Sequence, residues 1–164
     1  MYDCISWNNR NYRKSGRSTF EKYLDFGRGF YITTYENQAK KWAVRKGMRQ
    51  EKNAIVNVYE LSEAWDDFKV LSFEKENEKW LDFVCACRKG QPLNKEYDII
   101  IGNVADDDVF KTVDMYFRGL WDKKKVLSEL RYYKMNNQIC IVNQETLNQL
   151  VTFKGAYEVN NNGR

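Results

Sequence analysis

The chain has 164 residues, is 43% hydrophobic and 15% aromatic, and carries a net charge of +4, which suits one packed domain rather than a disordered or fibrous chain. It contains no histidine and four cysteines, Cys4, Cys85, Cys87 and Cys140. This excludes Ser-His-Asp and Cys-His nucleophilic sites, histidine acid/base catalysis and every zinc site with a histidine ligand, and four scattered thiols argue against an all-thiolate metal site.

In chain order, residues 1–6 are expected to form a short strand, followed by a long polar loop from Trp7 to about Leu24. Gly29 to Thr34 reads as a strand through Phe30, Tyr31 and Ile32. A helix is expected from about Glu36 to Lys46, with Ala39, Trp42 and Ala43 on one face. Ala54 to Leu61 alternates as a half-buried strand does, and Phe68 to Phe73 reads as a further short strand. Glu76 to Arg88 is expected to form an amphipathic helix that buries Trp80, Phe83, Val84 and Cys87. Tyr97 to Val104 is the most apolar strand and is expected to be central. Two helices, Asp107 to Arg118 and Asp122 to Tyr133, flank Gly119, and the acids Asp106, Asp107 and Asp108 suit the positive end of the first. Gln138 to Val142 is a strand, Gln144 to Val151 a short helix and Thr152 to Val159 a last strand. The irregular alternation predicts an α+β domain over 1–159, with a disordered tail over 160–164.

Charge is uneven. Residues 8–28 hold six cations, among them Arg10, Arg13 and Arg17, against two acids, and so carry the whole net charge. Such a loop suits an anionic ligand, a diphosphate or a nucleic acid, or is a solvated surface segment. The composition and opening residues lack a membrane span and a secretory leader, and the cysteines read as reduced, so a cytoplasmic setting is expected.

The segment Asp25-Phe26-Gly27-Arg28-Gly29-Phe30-Tyr31-Ile32-Thr33-Thr34, followed by Gln38-Ala39-Lys40-Lys41-Trp42-Ala43, is the most distinctive. Two glycines ahead of a strand allow close approach of backbone to a ligand, and Tyr31 and Trp42 can flank a flat ring; equally, both aromatics can be core. This segment resembles the G-K-G-[IF]-Y-[FL] motif of ADP-ribosyltransferases in the poly(ADP-ribose) polymerase-like branch, and looks similar to a bacterial, toxin-like family within it. The likeness continues through VNVYEL, EKWLDFVCACRKG, YDIIIGNVADD and NNQICIVNQETLNQLVTF.

The resemblance implies a split β-sheet fold that takes NAD as substrate and needs no metal. It further implies a nicotinamide held at Gly29, Phe30, Tyr31 and Trp42. Tyr31 and Gln138 would be the catalytic pair, with Gln138 where relatives carry Glu, Asp or Gln. Relatives open with a strand carrying His and Gly; Asp3 and Cys4 stand there in this chain. By that alignment Asp3 contacts a ribose, and Arg10, Arg13 and Arg17 reach the NAD diphosphate. The implied activity is transfer of one ADP-ribose to a protein or nucleic-acid acceptor by a bacterial toxin or effector, with a small antitoxin protein as a possible partner. The alternative is a catalytically silent binding module of the same fold.

Overall fold

The structure, a computed structural model, describes residues 2–7, 21–105, 107–130 and 136–159, with the backbone alone at 2–7, 21–23, 107, 108 and 110. Among the described residues the chain forms eight strands: β1 (Tyr2–Trp7), β2 (Glu21–Leu24), β3 (Gly27–Ile32), β4 (Ile55–Leu61), β5 (Val70–Ser72), β6 (Ile99–Gly102), β7 (Gln138–Ile141) and β8 (Val151–Glu158). Among the same residues, five α-helices join them, α1 (Glu36–Gln50), α2 (Glu78–Arg88), α3 (Asp107–Phe117), α4 (Lys123–Leu130) and α5 (Gln144–Leu150), with one 3-10 turn over Leu93–Glu96. The strands form two sheets, one of three strands in the order β1-β4-β8 and one of five in the order β2-β3-β7-β6-β5. The fold is therefore mixed α+β with a split sheet, in one domain.

Register explains how the layers fill. Across the larger sheet Tyr31 stands opposite Cys140, Cys140 opposite Ile100, and Ile100 opposite Leu71. Because side chains alternate between faces, these four share one face. They meet Trp80, Leu81 and Val84 of α2, Val109 and Val113 of α3 and Val126 of α4 in the largest core cluster. The other face presents Phe30, Ile32, Ile99, Ile139 and Ile141 to Tyr59 and Leu61 of β4 and Leu150 of α5. Beyond the smaller sheet, Ala39 and Ala43 of α1 close on Val56 and Ala54. Helix α1, the two sheets and the α2–α4 group thus stack in that order.

Several elements differ from their sequence-based expectation. β6, within the strand expected to be central, is an interior strand paired to β5 and β7, while β7 holds the middle place of the five. β2 lies at the end of what reads as a polar loop. α1 runs four residues beyond Lys46, and a Cβ on Gly47 would stand 2.7 Å from Lys52 O, so this glycine serves close packing inside the helix. Within α2, Phe83 is only partly buried, while Leu81 and Cys85 join Trp80, Val84 and Cys87 inside. The expectations for the aspartate side chains at 106–108 and for the tail at 160–164 lie outside the described residues.

Candidate functional site

The distinctive segment begins as a hairpin. β2 and β3 meet at Leu24 and Gly27, leaving Asp25 and Phe26 as a two-residue turn. Gly27 has φ +74°, a left-handed conformation that glycine adopts without cost, and the register shifts by one residue along the pair. Phe26 is fully buried and stacks near Phe73, with ring centroids 6.0 Å apart. The Tyr31 hydroxyl closes the turn from inside. It donates to Gly27 O at 2.7 Å and accepts from the Phe26 N–H at 3.1 Å.

The turn aims Asp25 into the protein, where the carboxylate is a hub. Its Oδ1 accepts from Arg88 Nη2 at 2.5 Å and Arg88 Nε at 3.1 Å, which ties the turn to the last residue of α2. Its Oδ2 accepts from the Ala105 N–H at 2.8 Å and from Gln138 Nε2 at 3.0 Å. Taking a carboxylate out of water is expensive, and a forked guanidinium with two further donors is what offsets that expense. Gln138 Nε2 also donates to Asn103 O, at 3.2 Å.

The two residues ahead of Gln138 are fixed as firmly. Asn136 copies a strand edge: its Oδ1 accepts from the Val104 N–H at 2.7 Å and its Nδ2 donates to Val104 O at 3.2 Å. Asn137 Oδ1 accepts from Thr33 Oγ1 at 2.8 Å and from the Thr34 N–H at 3.1 Å, while its Nδ2 donates to Thr34 Oγ1 at 2.7 Å. Gln38 Nε2 on α1 donates to Asn137 O at 2.7 Å. The run Asn136-Asn137-Gln138 therefore draws together the end of β3, the segment after β6, the β2–β3 turn and the first turn of α1.

Tyr31 and Gln138 occupy adjacent strands and point to the same face of the larger sheet. Tyr31 is 5% exposed, so its ring belongs to the core and its hydroxyl to the turn. Burial raises its pKa well above the ordinary tyrosine range, with the Cys140 and Asp25 charges adding to the effect. Gly29 has a packing cause: a Cβ there would lie 2.2 Å from Cys140 Sγ. Phe30 points to the other face, edge-on to Tyr59 with ring centroids 5.3 Å apart. Trp42 is half-buried on α1, one helical turn beyond Gln38 and so on the helix stripe that meets Asn137. Asp3 and Cys4 sit on β1, in the smaller sheet, with backbone partners Glu60 and Tyr59. Arg10, Arg13 and Arg17 lie outside the described residues.

Sequence reasoning missed Asp25, Arg88, Asn103, Asn136 and Asn137 as members of this network. One signal was present: three consecutive amides, Asn-Asn-Gln, immediately before an apolar strand. Among the described residues, no three His, Cys, Asp or Glu side chains gather closely enough to hold a metal ion, and no helix is long and apolar enough to cross a membrane. Cys85, Cys87 and Cys140 are free thiols. Burial pushes Cys140 up to about 12 and Cys87 up to about 11, which leaves both protonated and poor nucleophiles at neutral pH. Beside these two thiols, Gln138 presents an amide held in one orientation by Asp25 and Asn103 O.

The chain belongs to the family described as "Protein of unknown function (DUF3990)", whose model matches residues 9–153. No curated protein and no solved structure matches it.

Proposed function

We propose that this member of the DUF3990 family has an ADP-ribosyltransferase-like fold and transfers one ADP-ribosyl unit from NAD to an intracellular macromolecule. The observation that carries the reading is the placement of Gln138. It opens the central strand beside Tyr31, with its amide nitrogen tied to Asp25 and Asn103 O. In the reaction the bond between ribose C1′ and the nicotinamide nitrogen breaks, and nicotinamide leaves as a neutral base with the bonding pair. A nucleophilic atom of the acceptor bonds to C1′, and its proton passes to water. Nicotinamide needs no acid to depart, which suits a chain without histidine. A neutral amide accepts a hydrogen bond from a nicotinamide-ribose hydroxyl and orients the sugar, but it is no general base. Single transfer therefore fits better than polymer growth. Trp42 supplies the more accessible aromatic face, and Tyr31 holds the turn that holds Asp25.

The test is incubation of the pure protein with NAD and cell extract, reading nicotinamide release and the intact mass of proteins and nucleic acids. Addition of ADP-ribose to a macromolecule is expected, with Gln138→Ala lowering turnover more than NAD affinity. Nicotinamide release no faster than in a heat-inactivated control would refute the transferase reading. A second reading, a silent module that binds NAD without turning it over, is favoured by one observation, the closed ring of Tyr31. Its signature is a rise in melting temperature with NAD and no nicotinamide released.

A further inference from the structure

We infer that Asp25 is a positioning residue that fixes the polarity of Gln138, so that this site is built for an amide and rejects a carboxylate in its place. The inference rests on the transferase reading for its function, but its structural half stands on the hydrogen bonds alone. Both partners of Gln138 Nε2, the Asp25 carboxylate and Asn103 O, can only accept. The amide nitrogen must therefore lie on their side, one hydrogen for each. That leaves the carbonyl oxygen as the amide's remaining hydrogen-bonding group. An amide held this way meets a substrate as an acceptor, suited to a sugar hydroxyl that donates.

The substitution Gln138→Glu inverts this arrangement. The new carboxylate would turn two acceptor oxygens toward Asp25 Oδ2 and Asn103 O, with nothing to donate. Asp25 cannot yield, because its Oδ2 also serves the Ala105 N–H and its Oδ1 the Arg88 guanidinium. A negative charge is already committed there, and a second one nearby in a buried setting is strongly disfavoured. The substitution becomes tolerable only when the introduced side chain is protonated, since a carboxylic acid regains one donor.

Around Asp25 and Gln138, the titratable and charged groups among the described residues are Arg88 and Cys87 of α2, Tyr31 of β3, Cys140 of β7 and, through its hydrogen bond with Asn103, Glu76. Burial keeps both thiols and the phenol protonated well past neutrality. In the Gln138→Glu variant the introduced carboxyl is then the titrating group that meets the Asp25 carboxylate directly.

The experiment compares wild type, Gln138→Glu, Asp25→Asn and the double variant by thermal melting from pH 5 to 8. The introduced carboxyl would have a folded pKa raised above its unfolded value. Its protonated form is therefore retained by the native state, and stability is lost as pH rises. Gln138→Glu is expected to melt about 6–12 °C below wild type at pH 8 and to close most of that gap at pH 5. In the Asp25→Asn background, adding Gln138→Glu should cost less than half as much, because the opposing charge is gone. Should Gln138→Glu not fold at pH 8, the pH 5 melt and the double variant carry the comparison. An equal cost of the substitution in both backgrounds and at both pH values would overturn the inference. On the activity side, Gln138→Glu should lower kcat for nicotinamide release at least tenfold at pH 8. A variant faster than wild type would also overturn the inference. No nicotinamide release from wild type, with the melting pattern intact, would be failure of the NAD reading alone.

Discussion

Replacing Gly29 by alanine is expected to cost about 2 kcal/mol of stability, through packing and not backbone strain. A Cβ at this position would stand 2.2 Å from Cys140 Sγ and 3.0 Å from Ile141 O. Comfortable carbon contacts lie at about 3.5–4.0 Å, so the sulfur must retreat by more than an ångström. It has nowhere to go, because Cys140 is fully buried on the central strand opposite Tyr31. Overpacking of this kind costs up to about 3 kcal/mol. Gly29 is not among the glycines with positive φ, so alanine fits the backbone and recovers about 0.4–1 kcal/mol by stiffening the unfolded chain. The balance corresponds to a fall of roughly 4–8 °C in Tm for a domain of this size. Urea unfolding should show a lower midpoint with an unchanged slope. Cys140→Ala removes the obstructing sulfur but not the Ile141 carbonyl, so the cost of alanine at 29 should fall by about half in that background. The same cost in both backgrounds would refute the packing argument. Unaltered stability with lost NAD affinity would instead mean that the glycine makes room for a ligand.

Two further outcomes follow from the same geometry. Tyr31→Phe keeps the ring but strands the Phe26 N–H and Gly27 O, and should cost about 1.5–3 kcal/mol in urea unfolding; full stability in that variant would show that the hydroxyl does not hold the turn. Cys140, pushed up to about 12 by burial, keeps its proton in the native state after the unfolded thiol has lost its own. Its contribution is fully present below about pH 8.5 and drains away as pH climbs toward its native value. Melting curves between pH 8 and 11 should show a steeper alkaline decline in wild type than in Cys140→Ala, and identical slopes would contradict this.

Much of the fold is legible because burial on one face leaves a period in the sequence. β4 shows it plainly: Val56 serves one face, Tyr59 and Leu61 the other. The central place of β7 was hidden because its first residue is a glutamine, and polarity suggests an edge. Hydrogen bonds from the Gln138 amide offset that burial, and no hydropathy pattern records them. β2 was invisible for a related reason, since Glu21 to Leu24 has no alternation of its own and becomes a strand by pairing with β3. At the site, Gln138 and Tyr31 could be found because they lie in recognisable segments. Asp25 and Arg88 are separated by 63 residues and meet only when the turn and the end of α2 converge. A lone acid in a turn and a basic residue at a helix end carry no sign of each other.

The order in which these parts leave the ribosome follows from the sheet topology. β3 and β6 have no direct pairing with each other; β7 joins them, and β8 arrives later still to complete the smaller sheet. Until residues 136–141 emerge, the nascent chain can form the β2–β3 hairpin, the β1–β4 pair and the parallel β5–β6 pair, but no continuous five-stranded sheet. Asp25 and Arg88 would meanwhile wait for Gln138, a partner 113 positions after the first of them. Such late, long-range closure slows folding relative to locally wired domains. It also makes the segment from β7 to β8 the step that converts separate pairings into one cooperative unit.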